Sequence, residues 1–253
     1  IAIPTTAGTG SEVGSAAVIT DLERKEKFVI KSVSLSACLT VLDPELLAGL
    51  PVQVAAQTSL DALSHIIESF VSRRKTPLTE SIALEAARRW AENLRPYLED
   101  RSDLTAANHM IHASCMAGMS MSNAGLGLVH ALAHPFGALT HIPHGAVCAI
   151  FMPPVIRYNE SEVGDQYAHL GKILAPAFWP TGDAPEHLTA TTLADGIATL
   201  ADQAGIPRRL SEIERSAVLS EKTLETILNA IQCQTNPRPV DRESVQKIWQ
   251  DVQ

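Results

Sequence analysis

Apolar and polar residues change their rhythm once along this chain, at Pro51. Before it, apolar residues come in short bursts over 1–4, 16–20, 27–31 and 38–43, parted by Gly-, Thr- and Ser-rich stretches. Bursts of that length predict strands, and the two that flank the charged turn 21–26 predict a hairpin. After Pro51 the apolar residues recur with helical spacing over 52–72 and 79–98, with Pro77 between them and Pro96 near the end of the second. Helices also fit 104–122, 147–158, 162–174, 185–204, 211–231 and 241–252. Pro185 suits a first helical turn, where a missing N–H costs nothing. Asp241, with Ser244 three residues on, predicts an N-cap. The expected fold is mostly α: a helical bundle domain over 51–253 behind a small β-containing piece over 1–50.

Composition narrows the function classes. Apolar residues make up 45% of the 253, and charged ones 19%, so the chain can bury a substantial core and disorder is not expected. A net charge of −8, without a basic cluster beyond short pieces such as Arg73-Arg74-Lys75, argues against nucleic acid and anionic membrane surfaces. No apolar run is long enough to span a bilayer, and no signal peptide is expected. Cys38, Cys115, Cys148 and Cys233 are scattered without CxxC spacing, which predicts buried thiols of a reducing cytoplasm.

Two segments carry candidate chemistry. In TSLDALSHIIES, residues 58–69, Thr58, Asp61, His65 and Glu68 fall on one helical face, and Leu60, Leu63, Ile67 and Phe70 on the other. That is either an amphipathic helix with its polar stripe in water or a pair of groups, Asp61 and His65, that grip one object. In GLGLVHALAHPFGALTHIPHG, residues 125–145, His130 and His134 repeat the i, i+4 spacing. Pro135 and Gly137 are then expected to end the helix, and His144 follows in an IPHG turn. A buried imidazole needs partners for both nitrogens, and a divalent cation supplies one. Imidazole with carboxylate suits Zn²⁺ and Fe²⁺. Neither pair is an HExxH, so core histidines bonded to carbonyls remain the other reading. A hydrolytic metalloenzyme would need a general-base carboxylate, for which Glu68 is the obvious candidate.

PTTAGTGSEV (4–13), LDALSHIIES (60–69) and GLGLVHALAHPFGA with PHG (125–138, 143–145) together closely resemble the signatures of the iron-containing, group III alcohol dehydrogenases. The similarity runs in the family's order from Ile1 to NPRPVDRESV. The resemblance implies that Asp61, His65, His130 and His144 hold the metal, Fe²⁺ with Zn²⁺ as the alternative. It implies that His134 stands between metal and nicotinamide as a proton relay. His141, His109 and His112 match no ligand position. Residues Thr5, Thr6, Gly8 and Thr9, with Val18 and Lys27 on the hairpin, are implied to lie beside NAD or NADP. The implied reaction is hydride transfer between a small alcohol or aldehyde and NAD(P), in a cytoplasmic homo-oligomer, dimeric or larger.

Family members begin with a Rossmann-like half whose GGGS-type turn cradles the pyrophosphate, and no such turn occurs here. Residues 1–50 are therefore expected to be the remnant of an α/β dinucleotide-binding domain, with a piece of roughly 100–200 residues absent. Met121 stands where these enzymes often carry a pocket phenylalanine. The alternatives are a Zn-dependent glycerol dehydrogenase or dehydroquinate synthase-like enzyme, and a non-catalytic metal-binding helical domain.

Overall fold

The computed structural model describes the chain apart from residues 22–25, 140–141 and 213–217, and apart from the side chains of 20, 21, 26, 27, 138 and 139. Helix α1 (Val52–Val71) is its axis, with α2 (Pro77–Glu99), α3 (Leu104–Ala124) and α5 (His144–Phe178) packed around it. Residues 59–71 of α1 are all buried, so its polar stripe does not face water. That settles the amphipathic-helix reading against solvent: the stripe faces other protein elements. Trp90, fully buried on α2, donates its indole N–H to the Ser59 carbonyl at 2.9 Å and ties the two helices together.

Sequence signals set most of the helix starts. Thr76 caps α2 in a capping box with Thr79, and Pro77 takes the first helical position. Asp103 accepts from the Thr105 and Ala106 N–H groups at the start of α3. Asp241 forms the expected cap of α9 (Arg242–Val252), again with a reciprocal bond to Ser244. Helix α4 (Leu128–Leu139) lies against α5 and runs through Pro135, so Pro135 and Gly137 do not end it where the sequence suggested.

Several expected boundaries move. The two helices expected over 147–158 and 162–174 belong to α5, which begins earlier and breaks only at Val163 (φ −137°, ψ 24°). Pro185 starts no helix. Instead α6 (Ala190–Gln203) begins after Thr189, whose capping box with Thr192 outcompetes it. The single helix expected over 211–231 is replaced by a 3₁₀ turn at Leu210–Glu212, α7 (Glu221–Leu228) and α8 (Ile231–Thr235). No described helix is long and apolar enough to cross a membrane.

The hairpin forms as expected, with β1 (Ala16–Asp21) antiparallel to β2 (Glu26–Lys31) and Ala16 opposite Lys31. The runs 1–4 and 38–43 are not strands. They meet in a single parallel bridge, Ala2 with Thr40. Cys38 is exposed and Cys233 half-buried, so the expectation of buried thiols holds for Cys115 and Cys148. The loop between the bridge and the hairpin is pressed onto the helices at Gly10. There φ is +59°, and a Cβ would lie 2.6 Å from the Gly118 Cα of α3. Both positions therefore require glycine.

Candidate metal centre

Asp61 and His65 stand one turn apart on α1 and project to the same side, with His65 Nε2 3.8 Å from Asp61 Oδ1. Helix α4 adds His130, whose ring stacks on His65 with centroids 4.9 Å apart. Helix α5 opens with His144, its Nε2 3.6 Å from the same Asp61 oxygen. This approach depends on Gly145. A Cβ there would lie 2.0 Å from the Gln57 carbonyl oxygen on α1, so no other residue lets the start of α5 lie so close. Three helices thus bring together the four side chains named from the sequence.

The cluster is arranged like a ligand set. His130 Nε2 and His65 Nδ1 are buried and make no hydrogen bond; Asp61 Oδ1 has none beyond the Cys148 thiol set against that carboxylate. Buried polar atoms without partners are costly, by about 1–3 kcal/mol each, so His130 Nε2 and Asp61 Oδ1 mark a place where another group belongs. Burial pushes the Asp61 carboxyl up, but His65, His144 and His130 together outweigh it and hold it below its ordinary value. Burial, then the neighbouring His65 and His144, drives His130 well below its ordinary value, so its imidazole is neutral and able to donate a lone pair. An anionic carboxylate beside the neutral imidazole of His130 is donor chemistry that suits a divalent transition metal.

Glu68, two turns along α1 from Asp61, supports this arrangement from behind. Its Oε2 is 2.6 Å from His130 Nδ1 and its Oε1 accepts the Val129 N–H at 2.6 Å. The Nδ1 proton is thereby assigned to the Glu68 side, which leaves Nε2 facing the cluster as a bare acceptor. Burial pushes Glu68 up to about 7, against the hydrogen bonds that favour its charge. With both oxygens engaged on the far side of His130, Glu68 is not a general base beside an open position, and the hydrolytic reading fails. The Asn236 side-chain oxygen accepts the Leu128 N–H at 3.2 Å, so α4 is capped by residues from two distant elements.

His134 is half-buried at the edge of the cluster, its ring centroid 5.6 Å from His130 and 5.5 Å from His144. Its Nδ1 is 3.4 Å from Gln232 Nε2, a neighbour on α8 that no local signal announced. His109 and His112 stay outside the cluster on α3, against Arg89 and the Asn108 carbonyl respectively. His141 lies outside the described residues. Met121 is half-buried in the last turn of α3.

The Gly/Thr loop lies on α1. A Cβ on Gly8 would meet Thr58 Cβ at 2.7 Å, three residues before Asp61 on α1. Thr5 and Thr9 are exposed and Thr6 half-buried, and Thr9 Oγ1 bonds Ser11 Oγ at 3.1 Å. Val18 is half-exposed on β1, paired with Val29. Lys27 pairs with Thr20 on β2, the strand that packs beside α4; its side chain is outside the described residues.

The description of the Fe-containing alcohol dehydrogenase family's C-terminal part matches residues 55–252, and that of iron-containing alcohol dehydrogenases matches residues 1–44. The chain belongs to the iron-containing alcohol dehydrogenase family. It is 35% identical over its whole length to 62% of a probable alcohol dehydrogenase, EutG, of Escherichia coli. Likewise it is 34% identical to 64% of 1,3-propanediol dehydrogenase of Citrobacter freundii. It thus spans less than two thirds of the length of these relatives. Among solved structures, an alcohol dehydrogenase from Oenococcus oeni superposes with a TM-score of 0.89 at 31% identity, over 99% of this chain and 65% of that one. With such relatives in the family, the glycerol dehydrogenase-like and non-catalytic alternatives are not favoured.

Proposed function

We propose that this chain is the metal-holding part of an alcohol dehydrogenase that transfers hydride between a small alcohol or its aldehyde and NAD or NADP. The observation that carries this reading is the convergence of Asp61, His65, His130 and His144 from three helices on one point, with His130 Nε2 left without a partner. In the proposal these four residues hold Fe²⁺ or Zn²⁺. When bound, such an ion supplies Lewis-acid polarisation of a substrate oxygen.

The chain's own residues supply the rest. Asp61 provides the anionic ligand, and Glu68 fixes the ring of His130 so that a lone pair faces inward. His134, at the rim, carries the proton released from the alcohol towards solvent, an acid–base task that an imidazole can perform. Thr5, Thr6, Gly8 and Thr9 lie along the nucleotide with Val18 and Lys27, and the close seat of Gly8 on Thr58 sets their distance from Asp61. The proposed division is a nucleotide-binding part over 1–50 and a metal-binding part over 51–253, in a cytoplasmic homo-oligomer of at least two chains.

The test is elemental analysis of anaerobically purified wild type against His130→Ala. The expected result is about one divalent ion per chain, lost in the variant. Equal metal content in the two would overturn the reading. An enzyme carrying this segment in full length should oxidise short primary alcohols with NAD⁺ or NADP⁺, and chelators should abolish that turnover.

A further inference from the structure

Cys148 has no task in the reading above. It lies on α5 one turn after His144, so the two side chains share a helical face. A buried free cysteine ordinarily packs as a small hydrophobe. This one instead faces Asp61, Ser64 and His144, its Sγ 3.6 Å from His144 Nε2. One donor atom from each of Asp61, His130, His144 and Cys148 can be chosen so that all lie within 4.8 Å of one another. The same space receives His130 Nε2, fully buried and without a hydrogen-bond partner.

We propose that Cys148 is a metal ligand of this centre, so that the chain offers a thiolate beside its carboxylate and imidazoles and favours a thiophilic divalent cation such as Zn²⁺ or Co²⁺. The proposal rests on the reading of the cluster as a metal centre. On binding, the S–H bond breaks, a sulfur–metal bond forms and the proton passes to solvent; no electron changes hands. Soft thiolate donors select Zn²⁺ over harder cations, so the thiol acts on which ion the centre retains.

The test is anaerobic titration of the metal-free chain with Co²⁺, followed by absorption spectroscopy. Visible ligand-field bands report cobalt in the centre, and a near-ultraviolet sulfur-to-cobalt band reports a bound thiolate. Wild type should show both. Cys148→Ser and Cys148→Ala should keep the visible bands and lose the near-ultraviolet one, while Cys115→Ser keeps both. Competition with a chelator should show at least about a tenfold loss of Zn²⁺ affinity in the Cys148 variants. Visible bands without the near-ultraviolet band in wild type, or a near-ultraviolet band that survives in both Cys148 variants, would overturn the thiolate ligand and leave the centre standing. No visible bands in wild type would overturn the centre itself, and the thiolate with it.

Discussion

The hairpin and the axial helix α1 invert the usual placement of polar and apolar groups. On the hairpin, Val18, Ile19, Phe28, Val29 and Ile30 are 41–51% exposed. Neighbouring strand residues point to opposite faces, so half-exposed apolar side chains stand on both faces of the hairpin even though β2 runs beside α4. On α1, Asp61, His65 and Glu68 are each only 4% exposed. Two strands cannot bury a face by themselves, whereas α1, enclosed by three other helices, buries everything it carries from Ser59 to Val71. Burial here follows the number of surrounding layers, and hydrophobicity alone would have predicted the reverse. The polar groups on α1 remain inside because each has, or awaits, a partner.

If the helical body alone carries the stability, the largest loss should come from its centre. Trp90→Ala should cost about 3–5 kcal/mol in denaturant unfolding, since it removes a fully buried ring and its bond to Ser59. A loss below 1 kcal/mol would break the comparison. Next comes Glu68→Gln, which tests whether α1 holds its polar groups for a purpose. A glutamine can present N–H to His130 Nδ1, which favours the tautomer whose Nε2 proton points into the cluster. Metal affinity, read by chelator competition, should fall about 10–100-fold. An unchanged affinity would make Glu68 a packing residue.

Smaller effects sharpen the contrast. Asp103→Ala removes the α3 cap and should cost about 1 kcal/mol, measured as a shifted denaturation midpoint. Val29→Ser on the hairpin should change stability by less than about 0.5 kcal/mol, because little apolar contact is lost. A loss several times larger would show that the hairpin contributes to the core after all.

Much of this arrangement was legible from residue spacing. The period of 52–72 and the i, i+4 pairs placed Asp61 with His65 and His130 with His134, and the resemblance joined them to His144. The cap at Asp241 and the pairing of the two hairpin strands were also visible locally. What was not legible depends on distant contacts. Glu68 was placed on the correct face, but its partner His130 is 62 residues away. Cys148 follows His144 by four residues, a same-face spacing that could have been noticed, yet only the fold sets both against Asp61. Helix α4 survives Pro135 because the flanking α5 holds it in place. Pro185 and Thr189 competed for one helix start, and the reciprocal side-chain cap decided it.

The cap of α4 has a consequence for assembly. The first two amides of this helix find their acceptors 108 and 61 residues away, on Asn236 and Glu68. Its opening amides therefore have protein acceptors only once both distant segments are in place, so this end of α4 is completed by tertiary structure and not by its own sequence.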